Sequence, residues 1–282
     1  MTKRTIFRIS FVAMSALALV LVVSGCTQKS KDDAAEAQPR SSAQASVLQT
    51  ILERGTLRVG TTGDFNPFSF KDPGTGEYQG HDVELVSKLA ADMGVEVEWV
   101  ATDWANLVSG VAAGKYDITT GASYNMGRAK TAGYTLPVIQ VGTVPLTLRE
   151  NVGKFKSWSD IDQDGVTVAV TLGTVFEDQA KGLFEKAEIK AVESPARDYQ
   201  EVLSRRTEIS ITSTFEASKL VQTYPELAIV PVDAPKYQNA IGMLVSQSDQ
   251  VFINYVNVWI TMQRYSGYLE GLSAKWLPSL TF

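Results

Sequence analysis

From Val47 onward, β-branched runs alternate with stretches of helical spacing, and the whole alternation is played twice. That pattern restricts the chain to α/β architecture, because strands separated by helical segments return parallel to one another. In the first round "TLRVGTT" reads as a strand, and the loop "GDFNPFSF" and the turn "GEYQGHD" follow it. "DVELVSKLAADM" is then a helix, with Val83, Val86, Leu89, Ala90 and Met93 at helical spacing and Gly94 placed to end it. "VEVEWVAT" and "YDITTGAS" read as further strands around the helical "WANLVSGVAAG". In the second round "VTVAV" with its turn echoes "LRVGTTGD", and "VLSRRTEISITSTFEAS" echoes "LVSGVAAGKYDITTGAS". The echo predicts two similar α/β lobes rather than one sheet. "VPLTLRE" would leave the first lobe and "LAIVPVDAPKYQNAIGMLV" would return to it. The limits expected are 47–145 with 237–282 for lobe 1 and 146–236 for lobe 2. The last helix, "VFINYVNVWITMQRY", would bury Val251, Phe252, Tyr255, Val256, Trp259 and Ile260 on one stripe. Two lobes joined by two crossings form a cleft, and the turns that follow strands are where its chemistry should lie.

The first 26 residues stand apart from this pattern. Lys3, Arg4 and Arg8 precede the apolar run "FVAMSALALVLVV" and the small residues "VSGC", the layout of an export signal. "VSGC" resembles a bacterial lipobox, which implies that Cys26, the single cysteine, becomes a lipidated first residue. Residues 27–46 are polar, rich in Ala, Ser and Gln, and without periodicity, so they read as a flexible tether. The expected location is periplasmic or otherwise extracytoplasmic, with the membrane engaged only through the lipid. A net charge of −5 argues against nucleic acid as a partner. One His and one Cys leave no Cys/His metal site, and any nucleophilic triad would have to use His81. No cofactor fingerprint is present: the second-lobe turn lacks G-x-G-x-x-G.

Several residues could carry binding or catalysis. In "GASYNMGRAK", Ser123 and Asn125 precede Arg128, so a hydroxyl, an amide and a guanidinium could converge on one carboxylate. Arginine suits that task because its planar fork donates two parallel hydrogen bonds. The alternative is an ordinary solvated charge. Phe65, Phe68 and Trp104 are either core aromatics or the wall of a ligand pocket. Glu177 closes the stretch "TVFE", which fits a capping box with Thr174 at the helix start and the glutamate bonding back to it. It could instead be a catalytic acid in the cleft. His81 is a packing residue or, if it lines the cleft, a group that makes binding pH-sensitive.

From about Ser46 to Trp276 the chain resembles the family 3 periplasmic solute-binding proteins, which bind polar amino acids for ABC transporters. "LRVGTTGDFNPFSF", "YQGHDVELVSKLA", "GKYDITTGAS" and the Arg128 segment fall in the family's order. The resemblance implies a two-lobed type II periplasmic-binding-protein fold and a monomer serving an ABC permease. It implies that Arg128 and Ser123 hold a ligand carboxylate, that Thr174 faces them from lobe 2 and that Phe65 stacks on the ligand. His81 stands where the family usually has another stacking aromatic. The cyclohexadienyl dehydratase branch is the most similar, on "TTGDFNPFSF", "TDWANLV", Asn125 and "DIDQDGVTVAV". Such enzymes convert prephenate or arogenate to phenylpyruvate or phenylalanine, and Glu177 occupies the place of their general acid. The chain departs from the branch at Thr171, Phe176 and Thr143, and Ser213 stands where binders and dehydratases alike carry an aspartate. In binders that aspartate pairs with the ligand's α-amino group, so here Glu216 or Asp103 would have to substitute. The function expected is binding of a small carboxylate-bearing, amino-acid-like ligand, with dehydration of prephenate or arogenate as the alternative.

Overall fold

The computed structural model describes residues 46–277. The expected signal segment, Cys26 and the tether up to residue 45 lie outside the described residues. Helix α1 (Val47–Arg54), opened by the Ser46 hydroxyl and closed by left-handed Gly55, leads into β1 (Thr56–Thr61). A small antiparallel sheet of β2 (Asp64–Phe65), β3 (Ser69–Lys71) and β4 (Tyr78–Gln79) occupies the loop that follows. The first round continues through α2 (His81–Met93), β5 (Glu96–Ala101), α3 (Leu107–Ala112) and β6 (Ile118–Ser123). Then come α4 (Met126–Ala129), β7 (Ala132–Tyr134) and the long β8 (Ile139–Leu148). The second round runs α5 (Trp158–Ile161), β9 (Thr167–Thr171), α6 (Val175–Leu183), β10 (Glu188–Val192) and α7 (Asp198–Leu203). It ends with β11 (Ile209–Ser213), α8 (Thr214–Thr223) and β12 (Leu227–Ile229). The long β13 (Lys236–Ser246) returns, and α9 (Gln250–Tyr265) and α10 (Tyr268–Trp276) follow it.

The strands do not form two separate sheets, as the repeat had suggested. They form one ten-stranded sheet in the order β10-β9-β11-β8-β13-β6-β1-β5, with β12 added on β8 and β7 on β13. Each end is parallel: β1 pairs with β5 and β6, and β9 with β10 and β11. The middle is antiparallel, and strand length is what makes it continuous. β8 has ten residues and β13 eleven, enough for each to pair within one lobe and with the other crossing strand. The chain therefore passes between lobes within β8 and within β13. A ring of hydrogen bonds joins these crossings. The Thr143 hydroxyl donates to Gln179 Oε1 at 2.7 Å, Gln179 Nε2 to Asn239 Oδ1 at 2.7 Å, and Asn239 Nδ2 back to Thr143 at 3.0 Å. All three residues are buried, so each polar group depends on the other two for satisfaction.

Each lobe has its own core. Lobe 1 buries Leu57, Val59, Leu85, Leu89, Ile118 and Trp259; lobe 2 buries Val168, Val170, Phe176, Ala180, Ile209 and Ile211. At roughly 1.5–3 kcal/mol per fully buried large apolar side chain, these clusters supply the main drive for each lobe. Helix α2 buries the residues its spacing predicts, and Gly94 ends it at φ 73° with its N–H on the Ala90 and Ala91 carbonyls. Helix α9 is rotated slightly from expectation. Phe252, Ile253, Val256, Trp259 and Ile260 face inward, while Val251 is 57% exposed and Tyr255 half-buried. The helix carries a second apolar line through Val251, Val258 and Met262, so periodicity alone fits either phase.

Candidate functional site in the cleft between the lobes

The first-lobe wall is built from the turns after β1, β5 and β6. Phe65 and Phe68 stack with ring centroids 4.7 Å apart, and Trp104 meets Phe65 edge-on at 5.6 Å. Trp104 Nε1 donates to Asp64 Oδ1 at 3.1 Å, which fixes the indole in the loop. After β6, Asn125 caps α4, its Oδ1 accepting the Gly127 and Arg128 amides at 2.6 and 3.1 Å. That cap aims Arg128 back along the strand end. Its Nη1 donates to the Ser123 carbonyl at 3.2 Å, and the guanidinium lies 6.0 Å from the Trp104 ring centre.

Lobe 2 contributes the β9–α6 turn. Arg128 Nη2 crosses the cleft to the Gly173 carbonyl at 2.8 Å, and Asn125 Nδ2 crosses to Asp178 Oδ2, also at 2.8 Å. Thr174 starts α6, but its hydroxyl donates to the Thr171 carbonyl at 2.7 Å and does not cap the helix. Glu177 does bond back to the helix start, although to Gly173 rather than Thr174. Its Oε2 accepts the Gly173 amide at 2.8 Å, and its Oε1 accepts Lys181 Nζ at 2.6 Å. Burial pushes the Glu177 carboxyl up, but the hydrogen bonds from Lys181 and Gly173 outweigh it and hold the group below the ordinary glutamate range. It is a carboxylate near neutral pH.

Phe65, Trp104, Ser123, Arg128, Thr174 and Arg197 line a narrow cavity between the lobes, together with Val175 and Phe176. The other candidates stand elsewhere. Phe68 is fully buried behind Phe65, its ring edge-on to His81 and to Phe215 of lobe 2. His81 is also fully buried: Nδ1 lies 2.8 Å from Asp82 Oδ1 and Nε2 3.4 Å from Ser273. Asp82 in turn accepts the Gly121 amide at 2.9 Å, so this histidine belongs to a packed polar network under the cleft floor. It is not among the cavity-lining residues. Ser213 is buried at the start of α8, its hydroxyl accepting the Glu216 amide at 3.2 Å. Asp103 accepts from Asn106 at the start of α3 and lines a different cavity, of about 230 Å³, beyond Trp104.

Arg197 was not anticipated. It precedes α7, its own N–H bonded to Gln200 Oε1 at 2.9 Å, and its side chain runs buried into the cleft. Nε donates to the Thr171 hydroxyl at 3.0 Å and Nη2 to Glu216 Oε1 at 2.9 Å. Nη1 donates across the cleft to the Asp64 carbonyl and lies 3.4 Å from Asp64 Oδ2. Asp198 Oδ1 is 3.5 Å from Nε. Burial pushes the Arg197 pKa down, but Glu216, Asp64 and Asp198 more than reverse this and raise it. Burial likewise pushes Glu216 up, Arg197 pulls it back and Asp198 pushes it up again, to about 7. A carboxyl raised in the folded state adds stability in full below its unfolded pKa, and that contribution is lost as the pH climbs through 7. Melting temperatures measured from pH 5 to pH 8 should therefore fall toward the alkaline end, and Glu216→Gln should flatten that slope. An unchanged slope in the variant would show that other groups set it.

The family model for bacterial extracellular solute-binding proteins, family 3, matches residues 57–279. Among characterised relatives, the cyclohexadienyl dehydratase of Pseudomonas aeruginosa is 33% identical over 236 residues, 83% of this chain and 87% of that protein. The L-cystine-binding protein TcyJ of Escherichia coli is 26% identical over 238 residues, 84% of this chain and 88% of that one. Among solved structures, the ancestral amino acid-binding protein AncCDT-1, a precursor of cyclohexadienyl dehydratase, superposes with a TM-score of 0.77 at 35% identity. That match covers 83% of this chain and 100% of the ancestral one.

Proposed function

This chain belongs to the bacterial extracellular solute-binding proteins, family 3, and we propose that its cleft binds a small carboxylate-bearing solute for delivery to the permease of an ABC transporter. The carrying observation is Arg128: a buried guanidinium on the cavity wall, oriented by Ser123 of one lobe and Gly173 of the other. A carboxylate that meets this fork ties together groups from both lobes, and binding thereby favours closure. Phe65 and Trp104 supply the apolar wall, and Thr174 the second-lobe side. The test is calorimetric titration of the purified protein with a panel of small carboxylates. Failure of every member to bind would sink the proposal.

Glu177 supports binding over dehydration. An acid catalyst must hold a proton to give to the departing hydroxyl, whereas this carboxyl is bonded to its own helix start and held in the charged form. Incubation with prephenate or arogenate should thus give no phenylpyruvate or phenylalanine above the uncatalysed rate. Glu177→Ala should cost about 1 kcal/mol of stability, as loss of a helix-start bond does, and leave ligand affinity within twofold. Turnover that disappears in Glu177→Gln while binding persists would reverse the assignment.

Family 3 proteins work outside the cytoplasm, and among the described residues no helix is long and apolar enough to cross a membrane. The proposed tether is a lipid on Cys26, with the folded part acting as a monomer. Cys26→Ser should move the protein from the membrane fraction to the soluble extracytoplasmic fraction; retention on the membrane would remove Cys26 as the anchor.

A further inference from the structure

The buried arginine of lobe 2 bears on which carboxylates the cleft accepts. Around the Arg197 guanidinium stand three acids: Asp64 from lobe 1, and Asp198 and Glu216 from lobe 2. Asp198 and Glu216 are 2% exposed, and Glu216 is held from its other side by the Thr212 hydroxyl. With the Thr171 hydroxyl on Nε and the Asp64 carbonyl on Nη1, these groups make a socket fitted on three sides to a planar cation. Sockets of this chemistry bind guanidinium or ammonium groups, and here the protein's own side chain fills it.

The cavity beside that socket is correspondingly one-sided. Its lining contains two arginines, Arg128 and Arg197, and no acidic side chain. The nearby acids face Arg197, the Ser213 hydroxyl is engaged with the Glu216 amide at the start of α8, and Asp103 belongs to another cavity. An ammonium group entering the cavity would face the N–H donors of Arg128 and Arg197 and find no acidic side chain on the wall to accept its own hydrogen bonds. Displacing Arg197 is no easier, since it would break a charge-paired group, hydrogen-bonded through each of its three nitrogens, out of its site.

We infer that Arg197 determines the ligand class: it acts as a resident cation, so the cleft takes carboxylates whose remainder is uncharged or anionic and rejects amino acids, cationic ones above all. The inference rests on the reading that Arg128 holds a ligand carboxylate. It also identifies a latent site. With the Arg197 side chain removed, the three acids are left without a counterion and should recruit one from a ligand.

The experiment compares matched pairs on the full-length protein by calorimetry. The probes are 2-oxoglutarate against L-glutamate, phenylpyruvate against L-phenylalanine, and L-arginine alone. The 2-oxo member that binds should do so at least tenfold more tightly than its amino acid, and L-arginine should not bind. In Arg197→Ala, L-arginine should bind at least tenfold better than to the wild type, and guanidinium chloride at low millimolar concentration should raise the melting temperature. A wild type that prefers the amino acid of each pair would overturn the inference, as would a folded Arg197→Ala protein with no gain for L-arginine or guanidinium. Should Arg197→Ala fail to fold, Arg197→Gln provides the same comparison, and the wild-type pairs decide the matter independently. Amine preference together with loss of binding in Arg128→Ala would overturn this inference alone. No binding of any carboxylate would overturn the Arg128 reading along with it.

Discussion

Replacement of Arg128 by alanine should weaken the binding of any carboxylate ligand by about 100-fold or more. Arg128 supplies the guanidinium that faces the cavity from the first lobe, it is 9% exposed, and its fork is oriented by carbonyls at 3.2 and 2.8 Å. Truncating one member of a buried, hydrogen-bonded charge pair costs roughly 2–5 kcal/mol, which at 1.4 kcal/mol per decade is about 30- to 4000-fold in affinity. Arg128→Lys separates charge from geometry. A lysine keeps the positive charge but loses the two-pronged contact and the bridge to Gly173, so about tenfold loss is expected. Titration calorimetry reads both values, and melting curves check that each variant is folded. Affinity unchanged in the alanine variant would show that the carboxylate is held elsewhere, with Arg197 the next group to test.

Much of this arrangement was legible in the sequence because local rules and tertiary structure agree. The α2 stripe from Val83 to Met93, its stop at Gly94 and the turn after β6 that carries Ser123, Asn125 and Arg128 all follow from spacing. The errors have physical causes. Helix α9 carries two parallel apolar lines, and only the packing of α1, the sheet and α10 against it decides which one is buried. The capping pattern "TVFE" places Glu177 back on the helix start, but the left-handed Gly173 turns its own amide toward the carboxylate, while the Thr174 hydroxyl goes to Thr171. His81 looked like a candidate for the cleft because a lone histidine carries no signal of burial; Asp82 and Ser273 give it partners underneath. Arg197 had no local signal at all. Its main contacts lie 133 residues away at Asp64 and 19 away at Glu216, and in "SPARDY" it reads as one more solvated charge in a polar turn. A buried ion cluster assembled from four chain segments is beyond the reach of periodicity.

The second large effect should come from Gly173, where the lobes touch backbone to backbone. Its φ of 79° lies in the left-handed region, and a β-carbon there would stand 2.6 Å from the Ala105 amide nitrogen and 2.8 Å from the Trp104 carbonyl carbon. Neither neighbour is a flexible side chain that could move aside. Alanine therefore meets two penalties, about 1 kcal/mol for the left-handed conformation and a contact with lobe 1 that only separation of the lobes relieves. The first is paid whether the cleft is open or shut; the second opposes the shut form alone, in which Arg128 reaches the Gly173 carbonyl. If the shut form is thereby reduced to about one part in a hundred, apparent affinity falls by the same factor, because a ligand must supply whatever the closed population lacks. Gly173→Ala should thus lose about 100-fold in affinity with only a modest drop in melting temperature, and small-angle scattering with ligand present should give a larger radius of gyration than the wild type. This separates closure from contact: Arg128→Ala removes a group the ligand touches, whereas Gly173→Ala leaves every side chain on the cavity wall in place. Wild-type affinity in Gly173→Ala would mean that the ligand does not require the lobes to meet at this turn.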